Sequence, residues 1–164
     1  VAAIIANRGH FYTPHVVHRI EGVNEIPEKY RVKHRTMISP TTFDPVIRGM
    51  LLVNESGTAA GVSIKGINIA GKTGTVQNPH GKNHAAYMAF APAENPRIAI
   101  AVIVEEAGYG ATWAAPIANL MIEHYLKPDS VLISSRSYLE TRLREANLIP
   151  EKFIRKSDTT SNAH

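Results

Sequence analysis

The chain contains no cysteine. That absence excludes disulfides, thiolate metal sites and a cysteine nucleophile, and it leaves the redox compartment open. Long apolar runs are missing too, none approaching the roughly 20 residues that a membrane-spanning helix needs. No secretory signal pattern opens the chain. Val1–Ala6 reads as the interior of a helix with no capping residue before it and no initiator Met, which predicts a chain that starts partway through a larger protein, with any anchor upstream. Nor is charge of one sign massed anywhere: 18 Lys and Arg stand against 14 Asp and Glu, a net charge of +4 with a pI near 9.4. The densest basic stretch, Lys29, Arg31, Lys33 and Arg35, alternates with Tyr30, Val32 and His34 and predicts one solvated face of an edge strand. No recognition fold accompanies it, so no nucleic-acid partner is expected.

What is present is globular. Hydrophobic residues make up 44% and charged residues 20% of 164 positions, enough for one domain with a real core. Residues 1 to 7 read as a helix that stops at Asn7-Arg8-Gly9, with Gly9 at the left-handed position after the cap. Phe11–Ile20 reads as extended, interrupted by Pro14 and followed by a turn at Glu21-Gly22, and residues 28 to 38 read as extended as well. Ser39-Pro40-Thr41-Thr42 offers caps for a helix whose Phe43, Val46, Ile47, Met50 and Leu51 share one face, ending near Asn54. Three strands are expected at Gly66–Gln77, Ala85–Ala91 and Arg97–Glu105, the last two joined by a turn with Pro92 and Pro96. The run Ile98–Val104 is apolar on both faces, which predicts the middle of a sheet covered on both sides. A second long helix is expected over Thr112–Leu126, capped by Thr112, with Trp113, Ile117, Leu120, Met121 and Tyr125 on one face. Beyond it lie a short amphipathic helix around Tyr138, Leu139, Arg142 and Leu143 and a polar tail fraying after Lys156. The fold class is α+β, an antiparallel sheet packed by helices.

The chemically informative segment is Ala70-Gly71-Lys72-Thr73-Gly74-Thr75-Val76. A Lys-Thr-Gly tripeptide alone would occur by chance in about one chain of this length in thirty. Its setting adds weight, because two glycines weaken a strand and suggest that something approaches the backbone closely. Lys72 supplies a positive charge, and Thr73 and Thr75, two apart, present hydroxyls on one face. That set suits an extended ligand with a carboxylate; the plain alternative is a strand with a glycine bulge and an exposed lysine. The histidines His10, His15 and His18, and His80 and His84, lack the partners that a metal site requires, so no metal and no cofactor is expected. Glu105 and Glu106 are adjacent on a strand and face opposite ways, which argues against a shared acid–base site.

Lys72-Thr73-Gly74-Thr75 resembles the third motif of the penicillin-binding proteins and serine β-lactamases. The resemblance extends over roughly residues 1 to 126. Ala-Asn-Arg-Gly at 6 to 9 looks like the helix end after the second motif, and Ser-Gly-Thr-Ala at 56 to 59 like the loop before the third. Met88-Ala89-Phe90-Ala91-Pro92 with Asn95-Pro96 looks like the following hairpin, in wording closest to the elongation-type class B proteins. The resemblance implies a partial transpeptidase fold over 1–128 and a C-terminal extension over 129–164. It implies a serine-type D,D-transpeptidase of cell-wall synthesis as parent protein, on the extracytoplasmic face of the bacterial cytoplasmic membrane, with a glycosyltransferase among its elongation partners. Lys72 would tune the proton-transfer network of the serine. Thr73 and Thr75 would bind the carboxylate of a D-Ala-D-Ala stem peptide or a β-lactam, Gly74 shaping the site between them. The backbone N–H of Thr75 would be one oxyanion donor, and Gly57 and Thr58 are further substrate-binding candidates.

One departure from the family pattern decides what this chain can do. It holds no Ser-x-x-Lys and no Ser-x-Asn: Ser63-Ile64-Lys65 is one residue too short, and Ser161-Asn162 is adjacent. The nucleophile and its general base are absent, and acyl transfer needs both, so the chain alone is expected to be inactive. A non-catalytic scaffold, a β-lactam sensor, a serine β-lactamase or a D,D-carboxypeptidase remain alternatives. A segment missing from the sheet would leave apolar surface exposed, which predicts self-association.

Overall fold

The computed structural model describes residues 1–17, 19, 21, 22, 25–127 and 137–148. Its first unit, Val1–Val131, is built on a three-stranded antiparallel sheet of β3 (Ala70–Val76), β4 (His84–Ala91) and β5 (Ile98–Val104), in the order β3-β4-β5. The register sets Lys72 opposite Met88, Thr73 opposite Tyr87 and Thr75 opposite Ala85, and Ala89 opposite Ile100. Alternation then divides the side chains between two cores. Ala85, Tyr87, Ala89 and Ala91 pack with Ile64, Ile67 and Ile69 against Ala114, Ala115, Ala118 and Ile122 of α4 (Ala114–Leu126). Phe90 and Ala70 pack on the other side with Ala6 of α1 (Ala2–Ala6) and Phe43, Ile47 and Met50 of α3 (Phe43–Glu55).

The central strand is β4, not β5. Among the described residues β5 pairs only with β4; Ile98, Ile100, Val102 and Val104 are half-buried, whereas Ala99 and Ala101 are exposed and Ile103 is 68% exposed. The apolar run at 98 to 104 marked β5 rather than β4 as central because, beside Tyr87 and Phe90, much of the buried length of β4 is alanine. Ala85, Ala89 and Ala91 are fully buried yet carry little hydrophobic weight in a sequence. The same effect turned α4. Its buried face is Ala114, Ala115, Ala118, Asn119 and Ile122, while Met121 and Tyr125, expected inside, are more than half exposed. The helix starts at Ala114 rather than Thr112, with no side-chain cap.

α3 runs one residue past Asn54, and a 3-10 turn over Pro40–Thr42 precedes it in place of a side-chain cap. Its buried stripe is Phe43, Ile47, Met50 and Asn54, with Val46 on the exposed side. α1 ends in a double hydrogen-bonded turn, Arg8 N–H to Ile5 O at 3.0 Å and Gly9 N–H to Ile4 O at 2.9 Å. The residue in the left-handed position is therefore Arg8 (φ 50°), with Gly9 (φ 100°) after it. A Cβ on Gly9 would lie 2.7 Å from Thr36 Oγ1 and 3.1 Å from the Phe43 ring, so glycine is required there twice over.

The described residues between 10 and 38 are less extended than their pattern predicts. β1 (His10–Phe11) pairs with β2 (His34–Arg35), but Glu28–Arg31 form a helical turn, α2, placing Lys29 and Arg31 on a helix rather than a strand face. Pro27 at its start, Glu28 in the first turn and basic residues in the last suit a short helix and its dipole. The expected turn at Glu21-Gly22 is present, Gly22 having φ 79°. In the second unit, taken by itself, α5 (Ser137–Glu145) carries an Arg144–Glu140 ion pair at 2.7 Å. Residues 128–136 and the tail after Lys156 lie outside the described residues.

Candidate active-site wall

β3 is an edge strand, and its second half is accessible: Lys72 and Thr75 are exposed, Thr73 and Gly74 half-buried. Thr73 and Thr75 share one face, as their spacing requires, and Lys72 stands on the other. From there its Nζ reaches the carbonyl oxygen of Thr73 at 2.7 Å. The loop after α3 supplies a third hydroxyl. Thr58 Oγ1 and Thr73 Oγ1 are hydrogen-bonded at 2.9 Å, and either can donate. That loop is wound back onto α3 by Gly57 N–H to Leu52 O (2.8 Å) and Ala59 N–H to Val53 O (2.9 Å). A Cβ on Gly57 would lie 2.8 Å from Val53 Cα, so the tight return needs glycine whether or not a ligand approaches.

The two glycines of β3 have different surroundings. A Cβ on Gly71 would fall on the hydroxyl of Tyr87 and 2.5 Å from its Cζ. The space beside Gly71 is thus taken by a side chain of the protein itself. A Cβ on Gly74 would meet Ala86 Cβ at 3.4 Å and Ala86 O at 3.8 Å, both ordinary contacts. The close approach on that pair comes from Gly110, whose absent Cβ leaves room for the carbonyl oxygens of Gly74 and Ala86.

Behind β3 lies a buried polar cluster. Tyr87 donates to Asn54 Oδ1 (3.0 Å), Asn54 Nδ2 donates to Ile69 O (3.1 Å), and Asn119 Nδ2 donates to Asn54 Oδ1 (3.3 Å) and Val62 O (2.8 Å). Burial pushes the Tyr87 hydroxyl up to about 12.

Among the described residues the histidines form no metal-binding group. His84 Nδ1 accepts from Glu106 N–H at 3.0 Å, His80 is exposed, and His15 packs on the Tyr30 ring; His18 lies outside the described residues. Among the described residues no group of three or more His, Cys, Asp or Glu is placed to hold a metal ion. Trp113 packs at the margin of the α4 core, and Glu105 and Glu106 sit in the turn after β5.

A family model described as the penicillin-binding protein transpeptidase domain matches residues 1–123. The chain belongs to that family. Among its relatives, the peptidoglycan D,D-transpeptidase PbpA of Mycolicibacterium smegmatis is 34% identical over 147 residues, 79% of this chain and 28% of the relative. The peptidoglycan D,D-transpeptidase MrdA of Haemophilus influenzae is 30% identical over 143 residues, covering 75% and 22%. Penicillin-binding protein A of Mycobacterium tuberculosis, solved as a penicillin G acyl-enzyme, superposes with a TM-score of 0.59 at 31% identity, over 77% of this chain and 30% of that one. The chain thus spans between about a fifth and a third of each of these proteins. The partial transpeptidase fold is that of the penicillin-binding family, with the Lys72-Thr73-Gly74-Thr75 strand at the edge of the described sheet.

Sequence reasoning missed Asn54, Tyr87, Asn119 and Gly110. A signal for the first was available: Asn54 continues the spacing of Phe43, Ile47 and Met50, and a carboxamide in an apolar stripe requires buried partners. Gly110 had no signal, because the residues it approaches are brought to it only by the fold.

Proposed function

We propose that this chain is the C-terminal part of the catalytic domain of an elongation-type, class B peptidoglycan D,D-transpeptidase. The observation that carries the reading is the accessible edge strand Lys72-Thr73-Gly74-Thr75, with two hydroxyls on one face and Thr58 paired to Thr73. In the parent enzyme Thr73 and Thr75 receive the terminal carboxylate of a D-Ala-D-Ala stem peptide or of a β-lactam. Lys72 adds positive charge beside the serine that attacks. The Thr75 N–H, paired with the N–H of that serine, stabilises the oxyanion, a donor of this kind contributing about 3–4 kcal/mol to lowering the barrier.

The relatives named PbpA and MrdA and the Ala89-Phe90-Ala91-Pro92 hairpin support the elongation-type reading. Residues 1–128 belong to the transpeptidase domain and 129–164 to an extension. The parent protein works in the cell envelope, on the extracytoplasmic face of the cytoplasmic membrane, with a glycosyltransferase as partner. The nucleophilic serine and its lysine lie outside residues 1–164, so the chain alone forms no acyl adduct.

The test is acylation of the full-length protein by benzylpenicillin. Thr73→Val is expected to slow it, by about ten-fold or more if the lost bond is to a charged carboxylate. A Thr73→Val protein acylated at the wild-type rate would remove the carboxylate role.

A further inference from the structure

We propose that Asn54 is a positioning residue: its carboxamide ties β3 to the loop that carries Thr58, and so holds the Thr58–Thr73 hydroxyl pair where a ligand carboxylate can use it. The inference rests on the transpeptidase reading above and adds a residue to it.

Asn54 is 4% exposed and lies on the stripe of α3 that otherwise buries Phe43, Ile47 and Met50. A carboxamide in such a place destabilises the fold unless its polar atoms are met. Here they are met by segments leading to the two halves of the site. Nδ2 holds Ile69 O, the residue before β3 begins. Oδ1 takes Asn119 Nδ2, which also holds Val62 O at the end of the turn following Thr58 and Ala59. The chain itself closes the circuit, since it leaves α3 one residue after Asn54 and passes through Ser56 and Gly57 to Thr58. Two hydroxyls on separate segments meet at 2.9 Å, and one side chain holds both segments, directly or through Asn119, beside the backbone bonds that wind the Thr58 loop onto α3.

The meeting has a chemical use. When Thr58 donates to Thr73 Oγ1, the proton of Thr73 is left for an acceptor outside, and a carboxylate is such an acceptor. A slip of about 0.6 Å between the segments would take the pair beyond hydrogen-bond range and free Thr73 to turn its proton elsewhere. Packing alone does not call for asparagine, since leucine has a similar shape and would suit the stripe.

The experiment measures the rate constants for acylation of the full-length protein by benzylpenicillin and by its methyl ester, which lacks the carboxylate charge. A variant that merely unfolds part of the protein lowers both rates alike and leaves their ratio unchanged. Asn54→Leu is expected to lower the acid-to-ester ratio about five-fold, the worth of one neutral hydrogen bond. Thr58→Val is expected to do the same, and the double variant to do no more, because both act through one pair. If Asn54→Leu does not fold, Asn54→Leu with Tyr87→Phe, which also removes the hydroxyl left without its acceptor, takes its place. A ratio within two-fold of wild type in the folded variant, or effects of Asn54→Leu and Thr58→Val that multiply, overturns the inference. A wild-type protein that benzylpenicillin does not acylate overturns the transpeptidase reading and this inference with it. A wild type that is acylated, with an unmoved ratio in the variants, overturns this inference alone.

Discussion

Alanine at the two glycines of β3 should have opposite consequences, although the residues are three positions apart in one strand. At Gly71 the new Cβ would land on the Tyr87 hydroxyl and 2.5 Å from the ring, and Tyr87 is 2% exposed with nowhere to retreat. Forcing an extra methyl into a packed core costs about 1–3 kcal/mol. Moving Tyr87 also breaks its bond to Asn54, adding about 1 kcal/mol. Gly71→Ala should therefore destabilise the chain by about 2–4 kcal/mol. At Gly74 the Cβ makes only ordinary contacts, with Ala86 Cβ at 3.4 Å and Ala86 O at 3.8 Å, and losing glycine's freedom in the unfolded chain contributes about 0.4–1 kcal/mol in the stabilising direction. Gly74→Ala should then be neutral or slightly stabilising. Thermal unfolding of the two variants beside wild type reads the difference directly, at roughly 2–4 °C per kcal/mol for a domain of this size. If Gly71→Ala melts within 1 °C of wild type, or Gly74→Ala is the worse of the two, the account of how the strand is packed is wrong.

Gly110→Ala should cost about 3 kcal/mol, because its Cβ would meet the carbonyl oxygens of Ala86 and Gly74, backbone atoms that no rotamer can move. Gly49→Ala, mid-helix in α3 with nothing within 4 Å of its Cβ, should instead stabilise by about 0.5–1 kcal/mol; urea unfolding checks both. Tyr87 should be among the last of the six tyrosines to ionise in a spectrophotometric titration. Its folded value of about 12 lies above the unfolded 10.0, so the folded state holds its proton more tightly. The associated stability is fully present below pH 10 and is lost as pH rises through 12, amounting to about 2–3 kcal/mol. Tyr87→Phe should lack that loss, and an unchanged alkaline slope in the variant would refute the assignment.

Elements with bulky periodic side chains were legible in the sequence. Phe43, Ile47 and Met50 located α3 within a residue or two, and the glycine-flanked Lys72-Thr73 and the Pro92–Pro96 turn located the strands. What failed was reading burial from hydrophobic bulk. Beside Phe90 and Ile122, much of the deeply buried length of β4 and α4 is alanine, and in the sequence pattern it gave up the core to Ile98–Val104 and to Met121 and Tyr125. The stretch 28 to 38 failed for another reason: alternation of basic and apolar residues is compatible with a single helical turn when the segment is only four residues long. At the candidate site, Lys72, Thr73 and Thr75 can be named from the sequence because they are neighbours along one strand. Asn54, Asn119 and Gly110 act across 15 to 65 positions or through backbone contact, and only the fold brings them to β3.

The central claim is that residues 72 to 75 align a substrate for a serine located elsewhere in the parent protein. Peptide mapping by mass spectrometry after benzylpenicillin treatment tests it most directly, on the full-length protein and on residues 1–164 alone. The account predicts one acyl adduct in the full-length protein, on a serine of a Ser-x-x-Lys outside these residues, and none on the isolated chain. An adduct on any serine within residues 1–164, or a full-length protein that takes none, would contradict it.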